Sequence, residues 1–249
     1  IAFNGEIYNH LDIRSELKKD GFLHEWSGTS DTESLISAID SWGLSETLQK
    51  IVGMFAFSLW DKERKSLYLA RDRFGEKPIY YGFSNKAFIF GSEIAALKSF
   101  PGFNNSINKE AISQLLRFSA ISCPNSIYSG IKQLLPGHFL SINFPINHQE
   151  PLQEKWWDFE KEYIAGYYNQ KKSNTEKEYI DIIEECLKES VKGQSLSDVP
   201  LGTFLSGGID SSLITALLQE NNSERIQTFT IGFEDDAFNE STYAKSVAN

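Results

Sequence analysis

The residues Ser206-Gly207-Gly208-Ile209-Asp210-Ser211-Ser212 lie between the hydrophobic run Val199 to Leu205 and the amphipathic run Ser211 to Gln219. Adjacent glycines let a backbone bend where a Cβ would clash, and they expose consecutive amide N–H groups. A helix opening near Asp210 adds unsatisfied donors and the positive end of its dipole. The serine hydroxyls donate to oxygen without adding charge, so the run reads as an anion cradle. It is not a Walker A loop, because no lysine lies in the turn to reach a terminal phosphate. A serine-capped helix with a glycine turn is the plain structural alternative, and the strand-turn-helix context weighs against it.

A second candidate lies near the start. Phe3-Asn4-Gly5-Glu6-Ile7-Tyr8-Asn9 and Gly28-Thr29-Ser30-Asp31-Thr32-Glu33 carry amide and carboxylate groups. Asn-Gly after an apolar pair is ordinarily a turn. Its chemical reading is an oxyanion hole, in which the Asn4 side-chain amide and the Gly5 N–H converge on a carbonyl oxygen as it becomes tetrahedral. Asp31 could bind an α-ammonium group, although spacing alone favours Ser30 and Asp31 as helix-terminus residues serving local N–H groups. Arg71, Asp72 and Arg73, between a strand and a glycine turn, read as a charged structural corner. His10, His24, His138 and His148 show no partner arrangement and receive no role.

The elements that must position these groups fall into two kinds. His10 to Lys19 and Asp31 to Trp42 have helical periodicity, the latter with a Ser30-x-x-Glu33 capping box. The period then changes to two over Met54 to Trp60, Leu67 to Arg71, Ile79 to Phe83 and Ala87 to Phe90, the pattern of an antiparallel sheet. Lys109 to Phe118 is a further helix, and His138 to Phe144 a strand after the Pro136-Gly137 turn. Pro145 to Thr175 is polar and irregular and reads as a linker whose Trp156 and Trp157 pack on one domain. Beyond it, Thr175-x-x-Glu178 opens a helix with Tyr179, Ile182, Ile183, Cys186 and Leu187 on one face. Val199 to Leu205, Ser211 to Gln219 and Gln227 to Phe233 form strand, helix and strand, a βαβ unit with a parallel sheet. Leu213, Ile214, Leu217 and Leu218 read as the buried face of its helix.

Composition narrows the classes. The chain has 249 residues, 34 acidic against 24 basic side chains, and 41% hydrophobic residues. At roughly 150 residues per domain, that is one large domain or two smaller ones. A formal charge of −10 without a basic run argues against a general nucleic-acid or membrane-surface binder. No apolar stretch reaches the roughly 20 residues that a membrane helix requires. Two cysteines, Cys123 and Cys186, without a metal-ligand spacing suggest reduced thiols in a cytoplasm.

The cradle resembles the pyrophosphate loop of the N-type ATP pyrophosphatases. The order of Asn4-Gly5-Glu6, Gly28-x-x-Asp31-x-Glu33, Ala70 to Pro78, Leu135-Pro136-Gly137-His138 and that loop resembles glutamine-hydrolysing asparagine synthetases across nearly all the chain. The resemblance implies an α+β N-terminal-nucleophile hydrolase sandwich over residues 1–150, a linker over 151–175, and over 176–249 the start of an α/β parallel-sheet ATP pyrophosphatase domain. It implies glutamine hydrolysis, with the ammonia passing to β-aspartyl-AMP to give asparagine, AMP and pyrophosphate. Asn4 and Gly5 would form the oxyanion hole, and Glu6 and Asp31 would hold the glutamine amino-acid group. Ser206, Gly207, Gly208, Asp210, Ser211 and Ser212 would hold the ATP phosphates, with Mg²⁺ on Asp210. Phe204 and Ile231 would flank the nucleotide. Aspartate is the implied acceptor, and a homodimer fits the family.

The pattern is incomplete. The family nucleophile is a cysteine at the mature N-terminus, where this chain has Ile1, and neither Cys123 nor Cys186 can replace it. The glutamine-carboxylate arginine and the remaining synthetase strands are also missing. The chain is therefore expected to be a fragment inactive in both half-reactions, from an active parent. Two alternatives stand beside this reading. A relative could amidate another carboxylate, such as a cell-surface sugar or a β-lactam precursor, or the chain could be a non-catalytic nucleotide-binding protein.

Overall fold

The computed structural model describes residues 1–23, 25–146, 150–169, 175–197, 199–235 and 239–248. His24, His148, the Gln170 to Asn174 tract and Asn249 lie outside the described residues. The chain forms two compact units, Ile1–Asn169 and Gln170–Asn249.

The first unit runs β1 (Ala2–Ile7), α1 (His10–Lys19), α2 (Asp31–Trp42), α3 (Leu44–Lys50), β2 (Gly53–Asp61), β3 (Ser66–Arg71), β4 (Tyr80–Ser84) and β5 (Ala87–Gly91). It continues with α4 (Ile94–Lys98), α5 (Lys109–Phe118), β6 (Ile131–Gln133), β7 (His138–Asn143), β8 (Leu152–Lys155) and α6 (Phe159–Tyr168). Its strands form a five-stranded sheet in the order β1-β2-β3-β7-β8 and a three-stranded sheet in the order β5-β4-β6. All of these pairings are antiparallel.

Alternation along the strands builds the layers. Phe55, Phe57 and Ala70 turn to one face of the larger sheet and pack with Ile13, Leu17, Leu35, Ala38 and Leu48 of the first helices. Ala56, Leu67, Leu69 and Leu140 turn to the other face and pack with Tyr81 of the smaller sheet and with Ile79 and Leu134, which flank its strands. Ile89 and Ile131 close that sheet against Leu97 of α4. The order helix, sheet, sheet, helix is the sandwich that the resemblance implies.

In this unit the structure differs from expectation at the Pro145 to Thr175 stretch and at the Ser30 cap, whereas Trp156 packs on the unit as expected. The Pro145 to Thr175 stretch contains β8 and α6, and the first unit extends through Asn169. Polar residues suit β8 because it is an exposed edge strand on β7. Trp156 is 6% exposed, stacks on Phe55 at 6.1 Å and donates its indole N–H to the Arg71 carbonyl at 3.2 Å. The capping box at Ser30 is half made: Ser30 accepts from the Thr32 N–H, but Glu33 turns back to the N–H groups of Ser27 and Gly28.

The second unit comprises α7 (Glu176–Gln194), β9 (Gly202–Phe204), α8 (Ile209–Glu220), β10 (Gln227–Phe229) and α9 (Ser241–Ala248). The Thr175/Glu178 capping box is complete. β9 and β10 are parallel, with Thr203 opposite Thr228, so the βαβ unit is present. Its strands are shorter than their hydrophobic runs, and only part of each apolar helix face is covered. Leu217 and Leu218 of α8 are buried with Val191 of α7, whereas Leu213, Ile214, Ile182 and Ile183 are exposed. Among the described residues no helix is long and apolar enough to cross a membrane.

Candidate functional site

β1 is an edge strand, and its ladder fixes which of its N–H groups face outward. Phe55, opposite Gly5, gives its carbonyl to the Asp72 N–H at 2.8 Å and its N–H to the Asp72 carboxylate at 3.1 Å. Both of its backbone groups thus point away from β1. Gly5 and Phe55 form a non-hydrogen-bonded pair, and the Gly5 N–H is directed to the open edge. Ile7 has the same parity, and its outward N–H donates to the Asp31 carboxylate at 2.9 Å. Two residues of strand put these outward N–H groups about 7 Å apart. A Cβ on Gly5 would lie 2.1 Å from the Met54 carbonyl oxygen, so the close approach of β1 to β2 requires glycine there.

Asn4, Glu6 and Tyr8 share the other parity and so one face of β1. The exposed Asn4 carboxamide donates to the Ser92 hydroxyl at 3.2 Å. Tyr8 stands among carboxylates: burial, followed by the charges of Glu76, Asp72 and Glu6, pushes its phenol up to about 12. Desolvation and the neighbouring Asp72 raise the Glu76 carboxyl above the usual range, with Lys77 opposing.

Arg14 holds the loop that delivers Asp31. Its guanidinium donates to the Ser34 hydroxyl at 2.7 Å and to the carbonyls of Gly28 and Ser30 at 2.8 Å each. It also lies 3.6 Å from Glu33 and over the Trp26 ring. Asp31 thereby opens α2 next to the β1 edge, serving the Ile7 N–H as a helix-terminus carboxylate can.

The Arg71-Asp72-Arg73 segment is the structural corner. Asp72 is 1% exposed, and its carboxylate accepts from the N–H groups of Phe55, Phe74, Glu76 and Lys77. Arg71, also buried, donates to the carbonyls of Lys77, Leu134 and Gly75. Arg73 caps the carbonyls of Ile51 and Gln49. Cys123, half-buried beside Arg71, has its thiol pushed up by burial.

In the second unit the glycine loop joins β9 to α8. Gly207 has φ +83°, and a Cβ there would sit 2.6 Å from Tyr243 of α9. The Ser206 and Ser211 hydroxyls lie 2.9 Å apart, and the Gly208 N–H donates to Ser206 at 3.3 Å. Thr230 donates to the Leu205 carbonyl, tying the end of β10 to the loop entrance. The first-turn N–H groups of α8 have no intrahelical acceptor. The Ser212 hydroxyl is buried without a partner among the described residues. Asp210 is exposed in the first turn, and Phe204 and Ile231 expose 80% and 69% of their surface.

These residues fit an anion with its cation. Among the described residues no group of three or more His, Cys, Asp or Glu comes together to hold a metal. One carboxylate beside N–H donors suits Mg²⁺ carried by phosphate and water.

Sequence reasoning missed Ser92, Arg14 and Tyr8 as neighbours of this site. Ser92 is 88 positions from Asn4, so only the packing of the two sheets joins them.

The first unit is thus a two-sheet sandwich whose edge strand carries the outward Gly5 N–H, the Asn4 amide and the Asp31 carboxylate. Residues 1–157 match the family described as glutamine amidotransferase domain, and the chain belongs to that family. Residues 183–249 match the family described as asparagine synthase. The chain is similar to "Asparagine synthetase [glutamine-hydrolyzing] 3" of Bacillus subtilis, 32% identical over 95% of this chain and 37% of that protein. It is similar to "Asparagine synthetase [glutamine-hydrolyzing] 1" of the same organism, 34% identical over 100% of this chain and 37% of that protein. "Amidase chyE" of Penicillium rubens is 34% identical over 99% of this chain and 36% of its own length. The chain thus spans just over a third of these relatives.

Proposed function

We propose that the chain is part of a cytoplasmic, ATP-dependent ligase, a glutamine-hydrolysing asparagine synthetase. The observation that carries this reading is the presence of two different sites in one polypeptide. An edge strand presents an outward N–H beside an amide and a carboxylate, and a strand-Gly-Gly-helix loop sits on a parallel βαβ unit.

In the first unit the Gly5 N–H and the Asn4 amide stabilise the oxygen of a tetrahedral carbon. Asp31 and Glu6 take the α-ammonium end of glutamine. In the second unit Ser206, Gly207, Gly208, Ser211 and Ser212 hold the phosphates, and Asp210 faces the accompanying Mg²⁺. Phe204 and Ile231 offer exposed apolar surface to the nucleotide. Magnesium supplies charge neutralisation on the phosphates. Water hydrolyses glutamine to glutamate and ammonia. ATP adenylates the aspartate side chain with release of pyrophosphate, and the ammonia displaces AMP to give asparagine. The ligase works as a homodimer.

The same two sites also serve a second reading, in which another carboxylate is adenylated and amidated, because none of the residues assigned above binds the acceptor. The test uses the complete protein, expressed with every residue its gene encodes, with glutamine, Mg-ATP and aspartate, and mass spectrometry of the products. Asparagine, AMP and pyrophosphate in equal amounts are expected, and Asp210→Ala should stop pyrophosphate release. AMP formation that requires a different carboxylate selects the second reading. ADP in place of AMP overturns both.

A further inference from the structure

We propose that Ser92 is a positioning residue that aims the Asn4 carboxamide at the reacting carbonyl oxygen and so sets the rate of glutamine hydrolysis. This rests on the glutaminase reading above.

A carboxamide on an exposed strand edge can rotate, whereas an oxyanion donor works only when its direction is fixed before charge develops. The Asn4 nitrogen carries two hydrogens. One is donated to the Ser92 hydroxyl at 3.2 Å, and holding it orients the second in the amide plane.

Ser92 is well placed to hold. It follows β5, whose Gly91 pairs with Tyr80 in the smaller sheet. The next residue, Glu93, is the N-cap of α4; its backbone carbonyl accepts from the N–H groups of Ala96 and Leu97 at 3.2 and 3.4 Å, and Leu97 is buried. The serine thus stands on the second sheet while the amide it meets stands on the first. The contact therefore depends on the packing between the layers.

The developing oxyanion exists only in the transition state, whereas the α-ammonium contacts of Asp31 and Glu6 exist in both states. Losing the Ser92 contact should therefore lower kcat and leave the glutamine KM in place.

The experiment measures glutaminase kinetics of the complete protein as wild type, Ser92→Ala, Ser92→Thr, Asn4→Ala and the Asn4→Ala/Ser92→Ala double variant, together with melting temperatures. Ser92→Ala should lose about five- to tenfold in kcat, the equivalent of one net hydrogen bond, with KM within about twofold. Ser92→Thr, which keeps the hydroxyl, should restore most of the rate. In the Asn4→Ala background the serine change should cost nothing further. An unchanged kcat, a loss confined to KM, or an equal loss in both backgrounds would overturn the role. Should Ser92→Ala melt early, the comparison between backgrounds at equal folded fraction still decides. A wild-type protein that forms no glutamate from glutamine overturns the glutaminase reading itself.

Discussion

Gly5 faces Phe55 across the β1–β2 ladder without exchanging a hydrogen bond, because Phe55 directs both of its backbone groups to Asp72. The donor proposed for catalysis thus points outward as a consequence of pairing on the far side of β2. Asp72 anchors that pairing. Asp72→Ala strips an acceptor from four N–H groups and should lower stability by about 3–5 kcal/mol. All five tryptophans lie within the first unit, so urea unfolding followed by tryptophan fluorescence reads this loss directly. A change below about 1 kcal/mol would remove Asp72 from its anchoring role.

Asp31 combines a structural bond with a charge. Asp31→Asn keeps an oxygen for the Ile7 N–H but loses the negative charge proposed above to meet the α-ammonium group. The glutamine KM should rise about 10- to 100-fold, with kcat little altered. Steady-state glutaminase kinetics of the complete protein check it, and an unaffected KM would move the ammonium contact elsewhere.

Arg14→Lys should act on the same parameter from a distance. A lysine cannot reproduce the fork that reaches Ser34, Gly28 and Ser30 together. We expect a destabilisation of about 2 kcal/mol and a raised glutamine KM. Faster hydrogen exchange at residues 27–31 would report the released loop.

The two loop glycines should differ. Gly207→Ala meets both a left-handed φ and a 2.6 Å contact with Tyr243, whereas a Cβ on Gly208 comes no closer than 3.3 Å to the Ser206 hydroxyl. Gly207→Ala should cost about 2–3 kcal/mol more than Gly208→Ala in the second unit. Amide exchange in α8 and α9 measures the difference. Equal effects would contradict the loop geometry.

Alkaline stability should depend on Tyr81. Burial, assisted by the charge of Glu150, pushes its phenol up to about 12, and it accepts from the Gln153 amide at 2.8 Å. The unfolded phenol ionises near 10. A raised folded pKa contributes stability that is whole below pH ~10 and is lost as pH climbs to ~12, about 2–3 kcal/mol in all. Tyr81→Phe should flatten that part of the stability curve, after costing about 1 kcal/mol at neutral pH for the lost partner. Urea midpoints from pH 9 to 12 test the slope.

Local chemistry made much of this architecture readable. Period-two runs located the antiparallel strands, Thr175 and Glu178 announced α7, and two glycines between a strand and a helix marked the loop. Arg71, Asp72 and Arg73 fit a corner because a strand runs directly into a turn there. The unread parts depend on distant partners. β8 is polar because only one of its edges is paired; Trp156 reads as packing on a domain, but nothing local names Phe55 as its partner. Glu33 had two sets of N–H groups within reach, and the Arg14-held loop decided between them. Ser92 has no local feature connecting it to Asn4.

Trp156 also determines where the first unit can be severed. A polypeptide ending at residue 150 would strip β7 of its neighbour, leave Phe55 and Arg73 without the indole, and open a sticky flank to other chains. Shortened versions for crystallisation or labelling should therefore retain everything through Asn169.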